Sequence, residues 1–273
     1  MPRLQRALRD TVGGLPPVYW WLWTGTLVNR IGAFVVPFLA IYLTGGLHRS
    51  VSYAGLVLAL LGLGGTAASL AGGVLADRIG RRPTLLGAQL GTAVSLVGLG
   101  LVHGDVEVAG WALLYGFFSN ATRPAFSATM TDVVAPEDRV RAFSLNYWAI
   151  NLGFAIAPVL AGFLAQVSYL LLFLGDALTT LVLAAIVFLR VPETHPHLHR
   201  SADAPAAAQP AGSFLDAVRD PVFMAFTGLA FLLALVFMQH LSTLPVAMAA
   251  DGLTPAQYGT AVAVNGLLIV LLT

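Results

Sequence analysis

Residues Gly73-Val-Leu-Ala-Asp77-Arg78-Ile-Gly80-Arg81-Arg82-Pro83 form a short charged stretch between two long apolar runs. Upstream, Tyr53 to Ala76 holds no charged residue over 24 positions, and downstream Thr84 to Val102 is equally uncharged. As helix, at about 1.5 Å per residue, the first run alone reaches across a hydrocarbon core about 30 Å thick. A soluble domain can bury one such run. Two of them joined by a turn carrying three Arg predict neighbouring, antiparallel membrane crossings with the turn in the cytoplasm. Within the turn, Gly80 suits the left-handed backbone of a tight bend, and Gly73 would let two helices approach closely. Arg78, Arg81 and Arg82 can reach headgroups or neighbouring helix ends.

Composition carries this from one hairpin to the whole chain. With 58% hydrophobic residues, 10% charged and a mean hydropathy of +0.81, the protein lies far from the roughly 25% charged content of soluble domains. It reads as an all-α, polytopic membrane protein whose main partner is the lipid bilayer. Its 14 basic residues are all Arg, and the net charge of +1 gives no reason to expect nucleic acid as a partner. The absence of Cys excludes disulfides, thiolate metal sites and a cysteine nucleophile. There is no His-Glu-x-x-His, no Gly-x-Ser-x-Gly and no Lys for a Ser/Lys dyad, so an enzyme is not expected.

Taken in order, residues 1–18 form a cytoplasmic arm with Arg3, Arg6 and Arg9, followed by a first crossing to about Leu43 that is too long for a signal peptide. Tyr19, Trp20, Trp21 and Trp23 cluster at its start as an interfacial aromatic belt would. After the hairpin come a third crossing, Thr84 to Val102, and an outer loop with His103, Asp105 and Glu107. A fourth crossing spans about Val108 to Met130, a fifth Ala142 to Gln166 and a sixth Tyr169 to Leu189. Residues 191–220 read as a flexible cytoplasmic linker, with an Ala/Pro-rich tract and a short amphipathic lead-in, Ser213 to Asp220. Its His195, His197 and His199 are expected to be solvated, and no metal or other cofactor is expected. Residues 221–273 begin a second transmembrane unit, with a seventh crossing from Pro221 to Ala247 and an eighth from near Gln257. Eleven of the fourteen Arg then fall on the cytoplasmic side, Arg49 alone falls outside, and Arg30 and Arg123 lie within crossings.

The pattern Gly73-x3-Asp77-Arg78-x-Gly80-Arg81-Arg82 resembles the loop signature between the second and third helices of the major facilitator superfamily. Arg190-Val-Pro192-Glu193-Thr194 resembles the Pro-Glu-Thr ending common after the sixth helix there. Gly153-Phe-Ala-Ile-Ala157-Pro158-Val-Leu-Ala161-Gly162 is similar to the fifth-helix signature of its proton-coupled drug exporters, with Ala157 where those carry Gly. The resemblance implies two six-helix halves around a central cavity, each made of inverted three-helix repeats. It covers here the first half and about two helices of the second. Four helices and most of an eighth are then lacking, so a fragment or a shortened product is expected.

Several residues follow as site candidates. Gly153, Ala157 and Ala161 recur at i, i+4 as a smooth face for helix contact, and Pro158 frees the carbonyl of Phe154 and permits a bend. Arg30 and Arg123, on helices running in opposite directions, share a depth of about 15 Å from the cytoplasmic face. With Asn29 they form either a basic patch that meets substrate or modulates a proton-carrying acid, or a structural pair satisfied by backbone carbonyls. By resemblance, Asp132 pairs with Arg81 in a relay at the inner gate while Asp77 caps a helix end of the other half. Asp176 is the sole acid well inside a crossing. It is either a proton carrier or, on a usually peripheral helix, an acid that reaches the interface. Gln239 and His240 fall in the seventh helix, cavity-lining by resemblance, as substrate contacts or as a hydrogen-bonded packing pair. The resemblance implies a secondary transporter of the cell membrane that exports drug-like small molecules in exchange for protons. Uptake of nutrients or organic anions, which the basic pair would suit, and a non-transporting fragment are the rival readings.

Overall fold

A computed structural model describes residues 13–194 and 219–272. Among them there are helices and turns and no strands. The helices are α1 (Pro17–Ile31), α2 (Val35–Ile41), α3 (Val51–Ile79), α4 (Arg81–Leu101), α5 (Asp105–Val133), α6 (Arg139–Val167), α7 (Tyr169–Arg190), α8 (Pro221–Ala250) and α9 (Pro255–Leu272). Six spans are long and apolar enough to cross a membrane. They are α1 with α2, α3, α4, the stretch Pro136–Val167 that contains α6, α7 and α8. The chain is thus a multi-pass membrane protein. Helix α5 covers the expected fourth crossing but is less apolar, since Ser119, Asn120, Thr122, Arg123, Ser127, Thr129 and Thr131 interrupt it.

Local chemistry sets the ends. Ser50 caps α3 by accepting from the Tyr53 N–H at 3.2 Å, and Ser168 caps α7 by accepting from Leu170. Asp220 caps α8 by accepting from Val222 and Phe223 at 2.9 and 3.1 Å. Pro17 and Pro221 sit in the first turns of α1 and α8, where a missing N–H costs nothing.

The first crossing differs from expectation, because it is two helices rather than one. The helix stops at Ile31, the chain bends through Gly32, Ala33 and Phe34, and α2 runs on into a π turn at Tyr42–Gly46. Pro37 supplies the reason: it has no N–H, and its ring would clash with the Ala33 carbonyl four residues back. Restarting the helix at Val35 puts Pro37 in the first turn, where neither matters.

The aromatic cluster is also placed differently from the expected belt. Tyr19 is fully buried and donates its hydroxyl to the Ala142 carbonyl at 3.0 Å. Trp23 donates its indole N–H to the Leu145 carbonyl at 2.9 Å and stacks on Trp148. Trp21 is the outward one, under the Arg190 guanidinium. Buried aromatic N–H and O–H groups need acceptors, and the carbonyls of α6 provide them.

Helix α1 lies between α6 and α7, α3 runs along α5, and α4 packs on both α5 and α7. Helix α9 lies along α6, and α8 meets α2 while leaving nearly its whole surface outward. One core surrounds Phe38, Leu39, Tyr42, Leu96, Leu99, Phe173 and Tyr258. A second, nearer the charged hairpin, surrounds Tyr19, Leu22, Leu85, Met130 and Val187. Arg3, Arg6 and Arg9 of the arm, the three His of the linker and the lead-in from Ser213 to Val218 lie outside the described residues.

Candidate functional site

Two groups of polar side chains interrupt this apolar body. The first gathers at the hairpin end. Gly80 separates α3 from α4 with φ +105°, a left-handed conformation that side-chain-bearing residues rarely adopt. The turn directs Arg81 inward, and its side chain is 11% exposed. Its Nε donates to Asp132 of α5 at 2.6 Å, and its terminal nitrogen lies 3.5 Å from Asp77, four residues earlier on the other side of the Gly80 break. Asp132 also accepts from the Thr194 hydroxyl at 2.9 Å. The Glu193 carboxylate accepts the backbone N–H groups of Arg81 and Arg82 at 2.9 and 3.1 Å. It thereby caps the start of α4 with a negative charge. Arg82 reaches the Phe188 carbonyl and lies over the Phe188 ring, and Arg78 is exposed.

The Arg81–Asp132 pair expected from sequence is therefore formed, with Asp77 beside it. Glu193 and Thr194, which tie the segment after α7 into the same cluster, were not anticipated. The Pro-Glu-Thr sequence was the available signal, but Glu193 lies 112 residues from its partner Arg81, and nothing local connects them. Gly73 departs from expectation. A Cβ there would meet no described atom, whereas one on its neighbour Gly72 would lie 2.9 Å from the Ala121 carbonyl of α5.

The second group lies midway along the bundle. Arg30 occupies the last turn of α1, and its backbone is pressed against Gly153 of α6, where any Cβ would collide with it. Its Nε is buried without a hydrogen-bond partner. Arg123 of α5, the other Arg expected at this depth, is exposed, and neither Arg forms an ion pair among the described residues. On insertion scales each mid-membrane Arg costs about 2.5 to 3.5 kcal/mol, so a polar surrounding is required. Asn29 does not join this pair. One residue earlier on the helix, it donates instead to the Thr180 hydroxyl of α7 at 3.0 Å.

Asp176 is 4% exposed and does not reach the surface. Its carboxylate accepts the Val35 N–H at 3.2 Å and so holds the first turn of α2, just past the break. The fifth-helix motif divides between two neighbours. Gly153 faces α1, Ala157 and Ala161 enter the core, and Gly162 faces α9, where a Cβ would lie 2.7 Å from the Ala256 Cα. Gly259 of α9 sits against the Pro158 carbonyl. On α8, Gln239 accepts from Thr243. The His240 ring lies edge-on to Phe154 at 6.1 Å, and its carbonyl accepts from Tyr258. Among the described residues, no three potential metal ligands come together.

Comparison with known proteins adds four findings. Residues 22–273 match the family model described as Major Facilitator Superfamily. The uncharacterized MFS-type transporter YqjV of Bacillus subtilis is 30% identical over 268 residues, 93% of this chain and 62% of the relative. The multi-drug resistance efflux pump PmrA of Streptococcus pneumoniae is 25% identical over 175 residues, 62% of this chain and 44% of that protein. Among solved structures, a bacterial homolog of the human lysosomal transporter Spinster, inward-facing and unoccupied, superposes with a TM-score of 0.73 at 18% identity. The match covers 91% of this chain and 59% of that one, and shows a shared fold. The chain spans about three fifths of the length of YqjV.

Proposed function

This chain belongs to the major facilitator superfamily, and on that premise we propose that it works as a secondary active transporter of the cell membrane. It moves a small solute by alternating access, and its activity is export of drug-like compounds in exchange for protons. In this reading the hairpin end and the N-terminus face the cytoplasm, as the distribution of Arg implies.

The observation that carries the reading is the convergence on Arg81. Asp77, Asp132 and Glu193 bring α3, α5 and the segment after α7 to one residue at one end of the bundle. Such pairs form in one access state and break in the other, so they set the balance between the two. In this reading Asp176 carries the proton, which its burial and its bond to the Val35 N–H at the α1–α2 break support. Export as the direction draws support from the likeness to PmrA.

The test is growth and compound accumulation in an efflux-deficient bacterium, with and without the full-length gene, across a panel of toxic compounds. Gene-dependent resistance that a protonophore abolishes is expected. Identical accumulation with and without the gene would overturn the export reading. Gene-dependent hypersensitivity would point to uptake.

A further inference from the structure

The outward face of α7 ends between two guanidinium groups. We propose that this end binds an anionic phospholipid, with the phosphate held by Arg82 and Arg190 and an acyl chain lying along the exposed apolar strip of α7.

The last turn of the helix builds the site. Val187 and Val191 are buried, so at about 100° per residue Leu189 points straight outward, and it is 71% exposed. Phe188 and Arg190 flank it on either side, their Cα atoms about 5.4 Å apart in helical geometry. On the α4 flank, the Arg82 guanidinium lies over the Phe188 ring, 5.3 Å from its centre, and donates to the Phe188 carbonyl. On the α1 flank, the Arg190 guanidinium lies over the Trp21 ring, 4.8 Å from its centre. Both rings are exposed.

Neither cation is neutralised by the protein. Among the described residues, Arg82 and Arg190 form no ion pair, whereas Arg49, Arg81 and Arg141 each have an Asp. The Arg82 Nε is buried without a hydrogen-bond partner. The Glu193 carboxylate beside Arg82 accepts the backbone N–H groups of Arg81, Arg82 and Thr194. A guanidinium laid on a ring keeps its N–H groups directed along its own plane, as the fork that matches a phosphate.

The strip supplies the second half of the match. Leu171, Leu174, Leu178, Val182, Ala185 and Leu189 recur three or four residues apart and are all exposed, along about 27 Å of helix. Two positive charges at the head of such a strip fit a headgroup of net negative charge above its chains. A choline headgroup would bring its own cation against them. The site requires the membrane-spanning fold and no step of transport.

The experiment places the purified full-length protein in phosphatidylcholine vesicles containing phosphatidylglycerol or phosphatidylcholine brominated on the acyl chain, which quenches tryptophan fluorescence on contact. Brominated phosphatidylglycerol is expected to quench with an apparent affinity about five-fold or more above that of brominated phosphatidylcholine, the factor that one basic side chain near the surface contributes. Trp21→Phe should remove most of the selective quenching, and Arg82→Gln or Arg190→Gln should each bring the preference down toward one. Arg139→Gln, at the same end of the bundle on α6, should leave it in place. Equal quenching by the two lipids overturns the site, as does a preference that Trp21→Phe leaves unchanged. A preference that Arg139→Gln lowers as much as Arg190→Gln also overturns it, since that marks a diffuse attraction of the whole basic face. The two lipids are compared on the unaltered protein, so a variant that does not fold leaves the outcome standing.

Discussion

The carboxylate of Glu193 sits on the first turn of α4, receiving the backbone N–H of Arg81 at 2.9 Å, while the Arg81 side chain turns away to Asp132 at 2.6 Å. One residue is thus held twice, by its backbone from one element and by its side chain from another.

Glu193→Ala removes that cap, and a lost N-terminal cap costs about 0.5 to 2 kcal/mol. A lower melting temperature in detergent is expected, with faster amide exchange at Arg81 and Arg82 than at Leu85. Unchanged exchange at those two amides would show that the cap contributes nothing.

The two glycines of the loop motif should respond in opposite ways. Gly80→Ala forces a side chain into φ +105° and puts a Cβ 2.7 Å from the Glu193 carboxylate, so a loss of about 1 to 2 kcal/mol is expected. Gly73→Ala points into open space within a helix and should leave folding unchanged or slightly improved. Equal melting of the two variants would contradict the geometry.

Charge reversal tests the gate pair. Arg81→Asp and Asp132→Arg should each abolish most transport, and the double variant should recover part of it, with a coupling of about 0.5 to 3 kcal/mol. A double variant no better than either single change would separate the pair from function.

Gly153→Val should drive α6 away from Arg30. Overpacking of this kind costs about 1 to 3 kcal/mol, and the effect should exceed that of Gly110→Val, where nothing lies nearby. Thermal melting of both variants decides the matter.

Asp176→Leu leaves the Val35 N–H without its acceptor, at a penalty of about 1 to 3 kcal/mol, whereas Asp176→Asn keeps an oxygen there and should fold better. If Asp176 carries the proton, Asn at this position also uncouples transport from the proton gradient. Proton-driven export that persists in a well-folded Asp176→Asn protein would assign the coupling elsewhere.

How much of this is legible in the sequence depends on the range of each interaction. Uncharged runs mark their own helices, so α3, α4, α6 and α7 fall where hydropathy and Arg placement put them. The break after Ile31 is harder, because Gly32, Ala33 and Phe34 are as apolar as their surroundings and hydropathy reads straight through. Pro37 is the one sign of it. Gly72 and Gly73 differ by a turn of about 100° on one helix, and composition cannot choose between them. Tyr19 and Trp23 are residues equally at home at an interface and in a core. The acceptors that decide the matter, the carbonyls of Ala142 and Leu145, lie more than a hundred residues away. Glu193 and Asp176 are visible as acids, but their partners are backbone N–H groups, which carry no sequence signal at all.

The broken first segment gives its two halves different allegiances. The piece bearing Arg30 is lodged between α6 and α7, and the piece beyond the break is seated against α8. That second piece also sends Phe38 and Leu39 into the core formed with Leu96, Leu99 and Phe173, so it is the element through which α8 is attached to the rest of the bundle. The Asp176 contact to Val35 fastens the start of that piece to α7, so α8 hangs on a segment secured at its root.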